Sequence, residues 1–226
     1  KAGRAGVTDS GLWLLIVSAF GSLMGILATV LSASGNILTF LFGLLDVSIY
    51  GAMCYINYQH GNSGLGNAIL HFLYFVPMQF VGFFQWKRRG AGSKNQVKAQ
   101  RLKGKKILWY TLLFIGVLAV SFTVSWWFLS KTGDSMNYTK ILLDATATTA
   151  NIVAIVMMAF AYMEQWYLWT LVNVSSVILW AVTLVSEPEA GYAIIPLIKY
   201  SFYFINGING INGINGCFST YRIEEM

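Results

Sequence analysis

The chain has 226 residues, 56% of them hydrophobic and 15% aromatic, yet only 11% charged, with a formal net charge of +6. Soluble domains carry about 25% charged residues, so a water-covered globular surface is excluded. Disorder is excluded by the same numbers, because a chain this apolar does not stay solvated. What remains is a polytopic membrane protein, provided that the apolar residues fall in runs of about 20.

They do. Between Leu12 and Trp86 the one formal charge is Asp46, and Ile107–Ser130 carries none. Boundaries at Gly, Pro, Asn and charge clusters mark seven candidate spans. In chain order these are Leu12–Ala33, Asn36–Tyr58, Leu65–Trp86, Ile107–Ser130, Tyr138–Tyr162, Trp166–Ser186 and Gly191–Cys217. Each can cross ~30 Å of hydrocarbon as a helix. None shows the polar–apolar alternation of a β-barrel strand. Leu12–Ala33 is too long for a cleaved leader and has no basic cluster before it. The expected fold is therefore all-α, a single transmembrane domain over residues 1–226.

The charge is unevenly placed. Lys87, Arg88, Arg89, Lys94, Lys98, Arg101, Lys103, Lys105 and Lys106 are nine of the fifteen basic residues, and no acid lies among them. A nucleic-acid patch is the competing reading of such a run. Tight between two apolar spans, it reads instead as a cytoplasmic loop, residues 87–106, obeying the positive-inside rule. The N-terminus then lies outside, the C-terminus in the cytoplasm, and the acidic turn Glu187-Pro188-Glu189 outside. No nucleic-acid partner is expected.

Cys54 and Cys217 lack CxxC spacing, so neither a disulfide framework nor a metal site is implied. No phosphate loop, HExxH or nucleophile elbow occurs. An enzyme is not expected, nor a cofactor.

An odd number of spans divides as three, one and three. That division gives a first bundle at 12–86, a linker helix at 107–130 and a second bundle at 138–217, the two bundles running in parallel. Parallel repeats place a substrate site near the midplane between the bundles. Gly43–Tyr50 aligns loosely with Asn173–Trp180, and Asn67–Leu70 with Tyr192–Ile195.

Polar groups inside spans are costly unless they meet a cavity or a partner. Trp166, Trp169 and Asn173 share one helix face, and Trp180 extends it. Two indoles and an amide in a column can stack on a flat ring and bond its substituents. An interfacial aromatic belt is the structural alternative, strongest for Trp166. Span 3 holds Gln79 one turn from Gly82, which fits a polar, aromatic-lined lumen, with interhelical bonding as the structural alternative. Span 5 holds Asp144, Thr148 and Asn151 on one face, although Thr can bond back to its own helix and Asp144 lies near the outer boundary. Asp46 sits mid-span with no basic residue nearby in sequence. Such a lone carboxylate reads as a counter-charge or a proton site. An aromatic cage with carboxylates and no facing cation favours a flat, positively charged ligand.

Trp166-Tyr167-Leu168-Trp169-Thr170-Leu171-Val172-Asn173 resembles the W-x-x-W-x-x-x-N motif of PnuC-type nicotinamide riboside transporters. Asp144–Ala150 resembles their fifth span, and Gln79-Phe80-Val81-Gly82 with Trp86 the end of their third. The similarity runs over nearly the whole chain. It implies a 3+1+3 fold related to the SWEET sugar transporters and a homotrimer in the lipid bilayer of a bacterial inner membrane. It further implies facilitated diffusion, with a cytoplasmic nicotinamide riboside kinase trapping the product. By this resemblance Trp166 and Trp169 are ring-stacking walls and Asn173 a hydrogen-bond partner. Gln79 follows, then Tyr203 and Asn206 of span 7. A SWEET-like carrier of a neutral sugar or another vitamin shares the fold. A seven-helix retinal protein is the more distant alternative, with Lys199 in the last span.

One stretch departs from the family pattern. Residues 205–216 read Ile-Asn-Gly four times. On an α-helix a three-residue step turns about 300°, so the four Asn drift around the surface and cannot all face one lumen. Gly also weakens a helix by about 1 kcal/mol each in water. The repeat leaves every assignment after Gly207 open.

Overall fold

The computed structural model describes residues 9–59, 65–92, 96–132, 138–186 and 194–214, and these are almost entirely helical. The helices are α1 (Asp9–Ala33), α2 (Thr39–Gln59), α3 (Leu65–Leu70), α4 (Val76–Arg88), α5 (Lys105–Thr132), α6 (Tyr138–Ala159), α7 (Gln165–Ser186) and α8 (Ile194–Ile214). A π-helical turn, His71–Phe75, joins α3 to α4 without leaving helical dihedrals, so Leu65–Arg88 is one rod. Pro77 accounts for the wide turn. Its ring would press on the carbonyl four residues back and it has no N–H to give. The Val76 N–H accordingly reaches five residues back, to the His71 carbonyl.

Among the described residues, four helical stretches are long and apolar enough to cross a membrane by length and composition: Leu12–Ala33, Thr39–Gln59, Leu65–Arg88 and Lys105–Trp127. Helices α6, α7 and α8 are of matching length, at 22, 22 and 21 residues, and carry Thr148, Asn151, Asn173 and the Ile-Asn-Gly units. The chain is a multi-pass helical membrane protein.

Several boundaries move from their expected places, for local reasons. The second helix starts at Thr39 rather than Asn36, because Gly35 (φ 69°) ends α1 in the left-handed conformation. There the Asn36 N–H returns to the Leu31 carbonyl at 2.9 Å, a glycine-closed helix end. The fifth expected span, helix α6, stops at Ala159 rather than Tyr162 for the same kind of reason: Ala161 has φ 59° and the Tyr162 N–H returns to the Met157 carbonyl at 2.9 Å. Of the seventh expected span, Gly191–Ala193 and Asn215–Cys217 lie outside the described residues, as do Glu187-Pro188-Glu189 and Lys94.

Packing runs in a circle. Helix α1 packs on α2, α2 on the Leu65–Arg88 rod, α4 on α6, α6 on α7, α7 on α8, and α8 again on α1. Six rods thus enclose an interior, with α5 packed on α6. Helix α5 leaves Leu108, Trp109, Ile115 and Val120 exposed, which suits a lipid-facing surface.

The basic segment is not a loose tether. Its side chains Lys98, Arg101, Lys103, Lys105 and Lys106 are exposed, whereas Val97 and Ala99 are buried. The Val97 N–H donates to the Gly35 carbonyl at 2.9 Å, and the Gln100 N–H donates to the Ala161 carbonyl at 2.9 Å. Both left-handed corners are therefore held by one strand of chain, three residues apart. The Met163 N–H donates to the Gln100 carbonyl at 3.0 Å, and the Trp86 indole N–H to the Met158 carbonyl at 2.8 Å. Phe40, Trp86, Val97, Met158, Met163 and Trp166 share one buried apolar cluster that closes this end of the ring.

Candidate binding cavity

The ring encloses a cavity of about 260 Å³, just under the roughly 300 Å³ at which ligand sites usually begin. Helix α7 supplies one wall with Trp166, Trp169, Val172 and Asn173, and α4 supplies Gln79 from the other side. This is the column that the four- and three-residue spacing predicts for Trp166, Trp169 and Asn173. Trp166 and Gln79 are buried, at 2% and 4% exposure. The indole Nε1 of Trp166 and the Oε1 of Gln79 have no hydrogen-bond partner among the described residues. Buried polar atoms are nearly always satisfied, and this donor and this acceptor, one on each side of the cavity, are exceptions carried by lining residues. Trp169 is held differently. Its Nε1 donates to Gln165 Oε1, one turn back, at 3.3 Å.

Glycines let these side chains pack where they do. A methyl on Gly43 would stand 2.6 Å from Gln79 Oε1, and one on Gly210 would enter the Trp166 ring. Gly207 makes the same kind of approach to Thr170 Oγ1, at 2.7 Å. The Ile-Asn-Gly stretch thus has a physical role after all: α8 stays helical to Ile214, and two of its glycines let it lie close on α7, as small residues do between membrane helices.

Thr148 and Asn151 of α6 line the cavity as well, and Asn151 also bonds back to the Ala147 carbonyl at 3.0 Å. The side chain of Asp144 lies outside the described residues. Asn206 is not among the lining residues, and its amide donates to the Phe202 carbonyl at 3.2 Å. Tyr203 does line it, and its hydroxyl donates to Asp46 Oδ2 at 3.3 Å.

Asp46 requires a correction. The sequence reading left it without a facing cation, but Lys199 of α8 meets it, with Nζ 2.7 Å from Oδ1. Lys199 itself is well enclosed. Its side chain is 12% exposed and lines the cavity, with Nζ 5.4 Å from the Tyr203 ring centroid and 5.9 Å from that of Tyr50. Partners 153 positions apart leave no trace in local periodicity. Helix α1 stands between α2 and α8, and Gly25 clears the way for them: a methyl there would strike the Tyr203 hydroxyl and lie 2.6 Å from Asp46 Oδ2. Gly21 and Gly25, four apart on α1, were the available signal, a close-approach pair. His71 and Tyr50 complete this end of the cavity, with ring centroids 4.7 Å apart.

Comparison with known proteins places this architecture. The family model described as nicotinamide mononucleotide transporter matches residues 15–213. The chain is 33% identical over 198 residues to the nicotinamide riboside transporter PnuC of Neisseria mucosa, covering 86% of this chain and 68% of that one. It is 30% identical to PnuC of Haemophilus influenzae, covering 86% and 75%. A crystal structure of the vitamin B3 transporter PnuC superposes with a TM-score of 0.64 at 32% identity, over 92% of this chain and 83% of that one. Neither a sugar carrier nor a retinal protein is favoured by these matches, and the family is one of transporters, not enzymes. The chain belongs to the PnuC family of membrane transporters.

Proposed function

We propose that this protein carries nicotinamide riboside across a bacterial inner membrane by facilitated diffusion, through alternating opening of the cavity to either side. The observation that carries this reading is the pairing of a two-indole wall with an unmatched indole donor, Trp166 Nε1, and an unmatched amide acceptor, Gln79 Oε1. A pyridinium ring can lie against Trp166 and Trp169 with a cation–π contribution of about 2 kcal/mol when desolvated. Asn173 and Gln79 are placed to bond its amide and ribose hydroxyls. Asp46 is engaged by Lys199, so the aromatic faces, and not a free carboxylate, answer the positive ring.

The 3+1+3 organisation is part of the proposal. It is supported by the two matching corners, which set Gly35 against Ala161 and Phe40 against Trp166. On that register Asn173 corresponds to Val47, one helical turn from the sequence alignment, which set it against Gly43. A slip of one turn keeps the same face, so apolar patterning alone does not detect it. Residues 12–86 and 138–217 form the two bundles, 107–130 the linker. The basic segment 87–106 lies in the cytoplasm, which puts the N-terminus outside and the C-terminus inside. Uptake is downhill, drawn by a cytoplasmic kinase that phosphorylates the riboside, and the functional unit is a homotrimer.

Calorimetric titration of the purified protein with nicotinamide riboside, nicotinamide, nicotinamide mononucleotide, thiamine and glucose tests the reading. The riboside is expected to bind best and to enter protein-loaded liposomes without an ion gradient. Binding of glucose with no response to the riboside would overturn it.

A further inference from the structure

Among the described residues that line the cavity, the Asp, Glu, Lys and Arg side chains are Asp46 and Lys199 alone. They neutralise one another at 2.7 Å, and the second carboxylate oxygen receives the Tyr203 hydroxyl at 3.3 Å. Lys199 is further enclosed by the faces of Tyr50 and Tyr203. The cavity therefore holds a fixed cation whose charge is already spent. Its placement matters because a lysine in a low-dielectric site is a strong anchor for phosphate, and a phosphorylated nucleoside differs from its parent by about −1.5 to −2 charges.

We propose that the Asp46–Lys199 pair sets the charge selectivity of the cavity. By occupying Lys199, Asp46 denies a phosphate group its anchor, so the cavity accepts a nucleoside and refuses its monophosphate. This rests on the nucleoside reading above and adds the residue pair that decides between two ligands sharing one ring and one sugar. Selectivity built this way is negative: the desolvation cost of the phosphate is left unanswered. Helix packing provides for it at Gly25, where a larger side chain would hold Asp46 and Tyr203 off.

The test compares dissociation constants for nicotinamide riboside and nicotinamide mononucleotide in three variants of the full chain. Asp46→Asn releases Lys199 and is expected to move the ratio toward the mononucleotide at least tenfold. Lys199→Met leaves an unanswered carboxylate and is expected to move it at least threefold the other way. The double variant, neutral again, is expected to return within threefold of the parent ratio. If Asp46→Asn folds and its ratio stays at the parent value, size and not charge excludes phosphate, and the proposal fails. If only Lys199→Met folds, a gain in mononucleotide binding overturns it just as well. Should the parent protein bind no riboside, the transport reading falls separately, and the same ratios are measured with thiamine and thiamine monophosphate.

Discussion

Gly210 of α8 lies directly on the indole of Trp166 in α7, so close that a methyl group at position 210 would fall within the ring. Ring position and helix spacing are therefore one quantity. Gly210→Ala is expected to lower riboside affinity at least tenfold, about 1.4 kcal/mol, because the ring or the helix must shift. Gly116 of α5 meets nothing within 4 Å of such a methyl. Gly116→Ala should leave affinity unchanged in the same titration. A loss at both positions would show that the effect is not local to Trp166.

Trp169 and Asn173 lie one turn apart on the same wall of the cavity. Trp169→Ala and Asn173→Ala are each expected to weaken riboside binding tenfold or more while size-exclusion profiles stay those of the parent. Parent-like affinity in both variants would remove α7 from the binding site.

Gln79 offers a prediction with two signs. Its Oε1 is buried without a partner among the described residues, a state that costs a protein about 1–3 kcal/mol. Gln79→Met keeps the volume and removes the unmatched oxygen. Melting temperature without ligand should rise, and riboside affinity should fall. A Gln79 that serves only as glue between helices would give a fall in melting temperature instead.

Trp86 separates stability from binding. It is fully buried, donates to the Met158 carbonyl at 2.8 Å and lies outside the cavity lining. Trp86→Phe removes one of that carbonyl's two donors, the Ala161 N–H at 2.9 Å being the other, a loss of about 0.5–1.5 kcal/mol, and leaves the buried site underfilled. Thermal unfolding should shift down, with riboside affinity unchanged within threefold once the protein is folded.

What could be read from the sequence was whatever has a local cause. The scarcity of charge between Leu12 and Trp86 announced buried rods, and the spacing of Trp166, Trp169 and Asn173 placed them on one face, because both follow from helix geometry within a few turns. Asn206 shows the limit. Its position on α8 is as good by spacing, yet its amide closes on the Phe202 carbonyl. Lys199 shows it more sharply, since its partner Asp46 comes from the other end of the chain and depends on a third helix, at Gly25, giving way. The corner at Ala161 is not legible in the sequence, because a left-handed alanine has no signature there, unlike the glycine at its counterpart, Gly35.

The Ile-Asn-Gly units have one more consequence, for how this chain tolerates change in length. Because the four units are identical, removing one leaves Ile205–Gly213 reading as before, with glycine still at 207 and 210 opposite Thr170 and Trp166. Inserting one does the same. A unit gained or lost changes the number of residues that follow Gly213 and leaves the wall of the cavity as it was.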